Sequence, residues 1–246
     1  LGVNILYLNP IFSSGCNDGY DIFDFYQINP LFGSMADFES LIRETKKRKM
    51  HIILDIVLNH VGDDSIYFNR FKRHQTLGGY EWAEILFNLK NLHPEWDTQT
   101  LQTHGLEQAK SQGKMIPKVP WYKWFEISPS PTSTPLIYTG WAGESRQPVF
   151  SKARPTGDGK VSWPSVLNNE GFSSYFFSGP QSVLQWWMGK GVEGWRFDVV
   201  TEMDPHIWPL IRQNIKKQNP NSALIGEVIE NATHYLQGDK FDSVTN

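Results

Sequence analysis

Ionisable and polar side chains lie near the C-terminal ends of several short apolar runs, where a strand buried on both faces should be apolar. They are Asp55 with Asn59 and His60, Arg196 with Asp198, and Glu227. Carboxylates on the ends of neighbouring strands suit the cleavage of a glycosidic bond by a retaining mechanism. That mechanism needs one carboxylate as nucleophile and one carboxylic acid as proton donor, about 5 to 5.5 Å apart, close to the distance between paired strands.

The neighbours of the two acidic residues predict which role each takes. Side chains alternate along a strand, so Arg196 and Asp198 point to the same face. We expect the guanidinium to keep Asp198 ionised and oriented as the nucleophile. Glu227 stands beside Gly226 and has no cationic neighbour in the local sequence. We therefore expect Glu227 to hold the higher pKa that a proton donor needs.

A purely structural interpretation of the same residues stays open. Arg196 and Asp198 could be a buried ion pair that joins strands, although such pairs stabilise weakly once desolvation is counted. His60 could be a structural histidine after a strand, and Asn59 could cap the next turn. Glu227 fits a structural role least, because nothing nearby in the sequence pairs with its carboxylate.

The elements that must position these residues are apolar runs at residues 4–8, 51–58, 194–200, 223–228 and 241–245. These runs are too continuously apolar for strands that expose one face to solvent. Strands buried on both faces are typical of a parallel sheet. Helical patterns lie between the runs: the first begins with a capping box at Ser34 and Asp37, and the second ends at Gly191. Strand and helix alternate, so the predicted fold class is α/β.

The spacing of the runs is uneven. Residues 61–169 separate the second run from the third and are rich in Pro, Gly, Ser and Trp, with weak periodicity throughout. We interpret them as a loop-rich domain inserted after a strand, at the end of the sheet where an α/β barrel places its active site. The chain then divides into a first barrel part at residues 1–60, the insertion at 61–169 and a second barrel part at 170–246.

Composition excludes several classes of protein. With 23 Lys and Arg against 26 Asp and Glu, the net charge is -3, which argues against nucleic acid or a membrane surface as a partner. No apolar stretch reaches the roughly 18 to 20 residues of a membrane-spanning helix. The single cysteine, Cys16, excludes an internal disulfide and a multi-thiolate metal site. The compartment stays open, with the cytoplasm slightly favoured.

Five segments of the chain resemble the α-amylase superfamily of retaining glycoside hydrolases, and most closely its neopullulanase and cyclomaltodextrinase branch. In order, they are LGVNILYLNPIF, GYDIFDFYQINPLFGS, DIVLNH, GWRFDVVTE and GEVIENATHYLQGDKFDSVTN. The succession D-x-x-x-N-H, G-x-R-x-D and G-E is highly specific. The resemblance implies a (β/α)8 TIM barrel with a small domain inserted after the third strand. It also implies hydrolysis of α-glucans such as maltodextrin, cyclodextrin, starch or pullulan by double displacement.

The resemblance assigns roles to the residues at the strand ends. Asp198 would be the nucleophile, Glu227 the acid/base, and Arg196 the residue that orients Asp198. His60 would hydrogen-bond the sugar on the non-reducing side of the scissile bond, and Tyr20 would stack under that sugar. The expected partner is therefore an α-glucan oligosaccharide or polysaccharide.

Further positions match the family or depart from it. Asp55 and Asn59 resemble its structural pair at the top of the third strand, and we count them with Glu202 among the substrate-binding candidates. Calcium-dependent α-amylases carry, four residues after the nucleophile, a histidine whose carbonyl binds calcium. Glu202 stands there, as in the neopullulanase branch, so we expect no cofactor and no calcium bound in the α-amylase manner. Ile229 and Glu230 replace the Trp and His usual in that branch, which predicts different binding of the leaving group.

The resemblance also predicts how much of the family's barrel is present. The chain would run from about the second barrel strand to the start of the sixth, and the third catalytic carboxylate would lie beyond Asn246. We expect these residues to be part of a longer catalytic domain and to be inactive alone. Members of the branch often pair through an N-terminal domain, so a homodimer of the parent protein is also implied.

Two other functions stay open. A non-catalytic amylase-like barrel could bind glucan or a protein partner, although the retained carboxylates and Arg196 argue against a decayed site. A metal-dependent hydrolase could use His60, Asp55 and Asp198. This last alternative lacks the second histidine that such sites usually contain.

Overall fold

The computed structural model describes residues 2–129, 136–150 and 166–245. Its strands are β1 (Ile5–Leu8), β2 (Phe12–Ser14), β3 (Ile22–Ile28), β4 (His51–Ile56), β5 (Ile127–Ser128), β6 (Ile137–Tyr138), β7 (Gly194–Phe197), β8 (Ala223–Glu227) and β9 (Ser243–Thr245). Its α-helices are α1 (Met35–Lys47), α2 (Gly79–Leu92), α3 (Thr98–Ser111), α4 (Val183–Lys190) and α5 (Ile207–Gln218). None of the helices in this part of the chain combines the length and apolarity needed to cross a membrane.

Within the described residues, five strands form one parallel sheet in the order β1-β4-β7-β8-β9. Each predicted apolar run contains one of these strands, although β4 and β7 end before the predicted limits. Every strand pairs with the next strand of the sheet along the chain, so the sheet winds in one direction. A doubly wound sheet would reverse its strand order part-way, whereas a barrel keeps it. The α/β class is confirmed, and the sheet has the order of consecutive barrel strands.

Helices α1, α4 and α5 share one apolar core with the sheet. In the capping box of α1, Ser34 Oγ accepts a hydrogen bond from the Asp37 N–H, and Asp37 accepts one from the Ser34 N–H. Helix α4 ends at Gly191, whose φ of 113° is one that glycine adopts without strain. On α4, the buried Trp187 donates its indole N–H to the Phe25 carbonyl at 2.8 Å. Both helix signals predicted from the sequence are therefore confirmed.

The inserted segment is less irregular than predicted. Helices α2 and α3 have 14 residues each. They pack around a small apolar cluster formed by Leu77, Trp82, Ile85, Leu89, Ala109 and Tyr122. The weak periodicity of this segment did not reveal these two helices. Polar Asn, Gln and Lys residues interrupt the apolar positions of both helices. Packing of the helices against each other supplies the stability that each lacks alone.

Other described residues of the insertion share the main core with the sheet. The buried aromatic residues among them include Tyr67, Phe68, Trp124 and Phe150. Backbone hydrogen bonds also join the insertion to the chain after β4. The Val61 N–H donates to the Pro148 carbonyl and the Phe150 N–H to the Asn59 carbonyl, both at 3.1 Å. The predicted domain limits at residues 60 and 169 stay a prediction.

Candidate active site

Arg196 lies at the centre of the candidate site. It is on β7, and the parallel register of β4 and β7 makes Asp55 its cross-strand neighbour. Arg196 Nη1 donates to Asp55 Oδ2 at 2.8 Å and to Asp198 Oδ1 at 2.6 Å. Arg196 Nη2 lies 2.6 Å from Glu227 Oε1. One guanidinium thus contacts three carboxylates, which come from β4, from the end of β7 and from β8.

Asp55 is fully buried and holds Arg196 in place. Both of its oxygens accept hydrogen bonds from Arg196 Nη1, at 3.0 and 2.8 Å. Its Oδ2 also accepts hydrogen bonds from the hydroxyls of Tyr7 and Tyr20, the latter at 2.8 Å. Burial raises the pKa of Asp55, while Tyr7, Arg196 and Tyr20 oppose this by stabilising the carboxylate. The predicted residues Asp55, Arg196 and Tyr20 are therefore brought together.

Asp198 follows β7 directly and is buried, with 8% of its surface exposed. Its backbone N–H donates to the Ile56 carbonyl at 3.0 Å, which extends the pairing with β4 by one residue. Burial raises the pKa of Asp198 to about 7; Arg196 lowers it, and the neighbouring Glu227 carboxylate raises it. The contact with Arg196 is as predicted. The guanidinium favours the ionised carboxylate, as expected, but burial outweighs it and raises the pKa of Asp198.

Glu227 ends β8 and has two partners. Its Oε1 contacts Arg196, and its Oε2 accepts a hydrogen bond from the Val199 N–H at 2.9 Å. Val199 has φ 41° and ψ 46°, a left-handed conformation that β-branched residues rarely adopt. Val199 adopts this conformation where the chain turns after Asp198. The expectation that Glu227, unlike Asp198, lacks a cationic partner is wrong: the local sequence offers none, but Arg196 lies on the adjacent strand.

His60, Asn59 and Glu202 belong to a second group, which Trp141 joins. His60 and Asn59 are buried after β4, and the Asn59 amide nitrogen lies 3.3 Å from His60 Nδ1. The Trp141 ring stacks on the His60 imidazole, with centroids 5.2 Å apart and planes 19° from parallel. Trp141 Nε1 also donates to Glu202 Oε1 at 3.1 Å. A residue of the insertion therefore links predicted residues that follow two different strands.

Tyr7, Trp141 and Val199 contribute to the site but were not predicted. Tyr7 carries a polar group near the C-terminal end of a strand, so the rule that found Asp55 and Glu227 could have found it. Trp141 lies in the sequence TGWAG, where nothing periodic indicates a position. Val199 was assigned to a strand that in fact ends at Phe197.

Among residues 2–129, 136–150 and 166–245, no group of three or more His, Cys, Asp or Glu side chains could hold a metal ion. Asp55 and Asp198, which a metal-dependent hydrolase would use, both bind the Arg196 guanidinium. The Glu202 carboxylate accepts a hydrogen bond from the Trp141 indole. The carboxylates at the strand ends therefore act as acceptors for donors of the protein itself.

Comparison with known proteins places this chain in a family. The model of the α-amylase catalytic domain matches residues 1–246. An amylopullulanase of Thermoanaerobacterium saccharolyticum is 32% identical over 248 residues, which cover 100% of this chain and 16% of that protein. Neopullulanase 2 of Thermoactinomyces vulgaris is 30% identical over 246 residues, which cover 100% of this chain and 32% of that protein. A solved structure, the type III pullulan hydrolase from Thermococcus kodakarensis, matches with a TM-score of 0.65 at 25% identity, covering 100% of this chain and 33% of that one.

The chain spans a third or less of the length of these three proteins. Other relatives include a cyclomaltodextrinase of Thermoanaerobacter pseudethanolicus, at 27% identity, and an intracellular maltogenic amylase of Bacillus subtilis, at 28%. The resemblance to the neopullulanase and cyclomaltodextrinase branch is confirmed. The chain belongs to the α-amylase family and carries the sequence of its catalytic domain along its whole length.

Proposed function

We propose that this chain provides the nucleophile and the acid/base of a retaining hydrolase that acts on α-glucans such as maltodextrin, cyclodextrin, starch or pullulan. The observation that carries the proposal is the Arg196 guanidinium, which contacts both Asp198 and Glu227. Two carboxylates on one planar group are close neighbours, as attack and proton donation at a single glycosidic bond require. Relatives named amylopullulanase, neopullulanase and cyclomaltodextrinase support the substrate class.

The difference in burial supports the assignment of roles. The Asp198 side chain is 9% exposed, whereas that of Glu227 is 25% exposed. A nucleophile that forms a covalent ester with the sugar benefits from a site closed to bulk water. The acid/base must protonate a leaving group that departs and then activate a water that arrives, so it needs more access to solvent. Asp198 is therefore assigned as the nucleophile and Glu227 as the acid/base.

The reaction then follows two displacements. In the first, an Asp198 oxygen attacks the anomeric carbon while Glu227 transfers its proton to the glycosidic oxygen, and the leaving chain departs as an alcohol. In the second, Glu227 takes a proton from water, and the water oxygen displaces Asp198 from the anomeric carbon. Two inversions restore the α configuration. Arg196 stays protonated throughout and offsets the negative charge of its carboxylate neighbours.

The remaining predicted residues take supporting roles in this proposal. Asp55 holds Arg196. Tyr20, which hydrogen-bonds Asp55, is proposed to stack under the sugar that Asp198 attacks. His60 binds the same sugar through its imidazole. Asn59 and Glu202 extend the substrate-binding surface. A homodimer of the full-length protein remains a prediction from the resemblance.

The proposal is tested by Asp198→Asn in the full-length protein, with reducing-sugar release from cyclodextrin and starch as the readout. We expect activity to fall at least about 10³-fold, because the variant lacks the nucleophile. Asp204→Asn is the matched control. Asp204 is buried after the same strand, and its Oδ1 accepts a hydrogen bond from the His206 N–H at 2.9 Å, which asparagine preserves.

Unchanged activity of Asp198→Asn would overturn the assignment. Binding of maltotriose without turnover by the unmodified full-length protein would instead favour a non-catalytic barrel that binds glucan. Calorimetric measurement of maltotriose affinity, made alongside the activity assay, distinguishes these two outcomes from each other.

We also propose that the 246-residue chain alone is inactive and marginally stable. Strands β1 and β9 form the edges of the described sheet. Val3, Ile5 and Tyr7, on or beside β1, are about half exposed. Exposed apolar edges favour association between chains. Cooperative thermal unfolding of the isolated chain, without aggregation, would contradict this expectation.

A further inference from the structure

Trp141 belongs to a short hairpin, residues 139–150, which we call the Trp141 hairpin. The Trp141 N–H donates to the Gln147 carbonyl at 2.9 Å, and the Val149 N–H donates to the Thr139 carbonyl at 3.0 Å. Three further backbone hydrogen bonds, of 2.9 to 3.1 Å, join the hairpin to the segment after β4: Val61 N–H to Pro148 O, Asp63 N–H to Arg146 O, and Phe150 N–H to Asn59 O. The main chain therefore fixes the hairpin against the residues that flank His60.

The tip of the hairpin leaves the Trp141 backbone little freedom. The Gly143 N–H donates to the Gly140 carbonyl at 3.1 Å, and the Glu144 N–H donates to the Trp141 carbonyl at 2.8 Å. Gly140 is confined to glycine, because a Cβ there would lie 2.1 Å from the Glu144 carbonyl oxygen. This tight turn fixes the backbone position from which the Trp141 indole extends.

The indole contacts two residues that the proposed function places at the substrate. Its face stacks on His60, which follows β4, and its N–H binds the carboxylate of Glu202, which follows β7. Rotation of the imidazole about its χ2 angle would break the stack. Movement of the Glu202 carboxylate would leave the indole N–H without that acceptor. Trp141 therefore restrains both side chains at once.

We propose that Trp141 is a positioning residue, which fixes the imidazole plane of His60 and the carboxylate of Glu202 for sugar binding. This inference rests on the proposed function, in which His60 hydrogen-bonds the sugar at the scissile bond. The two restraints are separable. Trp141→Phe keeps an aromatic face for His60 but lacks the N–H, and Glu202→Ala removes the acceptor while leaving the stack. Trp141→Ala removes both restraints.

The experiment measures kcat and KM on maltodextrin in the full-length protein, and maltotriose affinity in the Asp198→Asn background. For Trp141→Ala we expect kcat/KM to fall about tenfold, and maltotriose affinity to fall with it, because a loosely held imidazole binds the sugar less well. Trp141→Phe and Glu202→Ala should each lower kcat/KM about threefold. Their double variant should match Glu202→Ala, because the change at Trp141 then breaks no further hydrogen bond.

Trp186 provides the matched control. It lies on α4 and packs edge-on against Tyr26 and Trp187, with centroids 5.4 and 4.9 Å away. Trp186→Phe and Trp186→Ala should leave kcat/KM and maltotriose affinity unchanged. Thermal unfolding of every variant separates loss of folding from loss of positioning.

Two results would overturn the inference. A lower Tm of Trp141→Ala with unchanged kcat/KM and maltotriose affinity would show that Trp141 only stabilises the hairpin. Additive effects of Trp141→Phe and Glu202→Ala would exclude the restraint on Glu202. If Trp141→Ala does not fold, the Phe variant and the double variant still decide the matter. Failure of the proposed function would appear differently, as activity retained by Asp198→Asn.

Discussion

Two buried ionic networks of this molecule differ in how their charges balance. Around Arg196, three carboxylates share one guanidinium. In the inserted segment, the Glu81 carboxylate pairs with Lys114 Nζ at 2.6 Å and accepts a hydrogen bond from the Asn69 amide at 2.6 Å. The second network has one anion and one cation, whereas the first has a surplus of negative charge. Arg196 and Glu81 are nevertheless similarly buried, at 7% and 4% exposure.

The difference separates a structural ion pair from a site with reactive groups. Glu81 joins the start of α2 to Asn69 and Lys114, and the positive charge of Lys114 balances its carboxylate. Around Arg196, the crowding of carboxylates contributes to the raised pKa of Asp198, and such a perturbation destabilises the ionised folded state. A cluster with a purely structural role gains nothing from this destabilisation. The structural interpretation left open for Arg196 and Asp198 therefore suits Glu81 and Lys114 better.

Removing the cation from the unbalanced network should have the largest effect. Arg196→Ala leaves three carboxylates together, so we expect kcat/KM to fall at least about 10³-fold and stability to fall by about 3 to 5 kcal/mol. Reducing-sugar assays and urea unfolding measure the two effects. Arg212→Ala is the control, because its ion pair with Asp242 is partly exposed and should contribute about 0 to 1 kcal/mol. Equal effects of the two substitutions would show that Arg196 matters no more than a partly exposed ion pair.

Burial, together with the surplus of negative charge, also predicts how activity depends on pH. In the proposed mechanism Asp198 attacks only as a carboxylate, and burial raises its pKa to about 7. We therefore expect kcat/KM to fall about tenfold for each pH unit below 7. The measurement is a profile of kcat/KM from pH 4.5 to 9 in buffers of constant ionic strength. A profile that is flat between pH 5 and 8 would show that Asp198 keeps an ordinary pKa.

The balanced network should affect stability without affecting chemistry. Glu81→Ala removes the acceptor of both Lys114 and the buried Asn69 amide, so we expect a loss of about 1 to 3 kcal/mol in urea unfolding. Activity under conditions where the variant is folded should be unchanged. Glu84→Ala, which breaks a more exposed ion pair with Lys72, should have little effect on either quantity. A fall in kcat/KM of the folded Glu81 variant would mean that this network also supports the site.

The smallest effect is expected at Val199, the strained residue whose N–H binds Glu227. Val199→Gly keeps the N–H that binds Glu227 and relieves the left-handed conformation, so stability should rise by at most about 1 kcal/mol. Activity should be unchanged, because the donor to Glu227 remains. Urea unfolding and kcat/KM measure the two quantities. A loss of stability would show that packing of the Val199 side chain outweighs its backbone strain.

The parts of the molecule that sequence reasoning found are those determined locally or by strand periodicity. The capping box at Ser34 and the glycine stop at Gly191 are local signals. The grouping of Asp55, Arg196 and Glu227 follows because parallel strands bring their C-terminal ends to one edge. These features require no knowledge of how distant segments pack.

The parts that were missed depend on distant packing. Trp141 reaches Glu202 across 61 positions, through a hairpin whose placement is set by backbone pairing with residues after β4. The cationic partner of Glu227 lies on the adjacent strand, so the local sequence could not reveal it. Helices α2 and α3 depend on each other for stability and have weak signals individually. The pKa of Asp198 is raised because burial outweighs the pairing with Arg196.

Asp55 and Arg196 touch although 141 positions of sequence separate them. Their distance is set by the spacing between two paired strands and not by the chain that connects them. The residues of the connection that lie outside the core shared with the sheet can be changed without moving either side chain, as long as both strands keep their register. Under the proposed function, a protein engineer can use those residues to vary the sugars that are recognised. The Trp141 hairpin is the portion that such a redesign should retain.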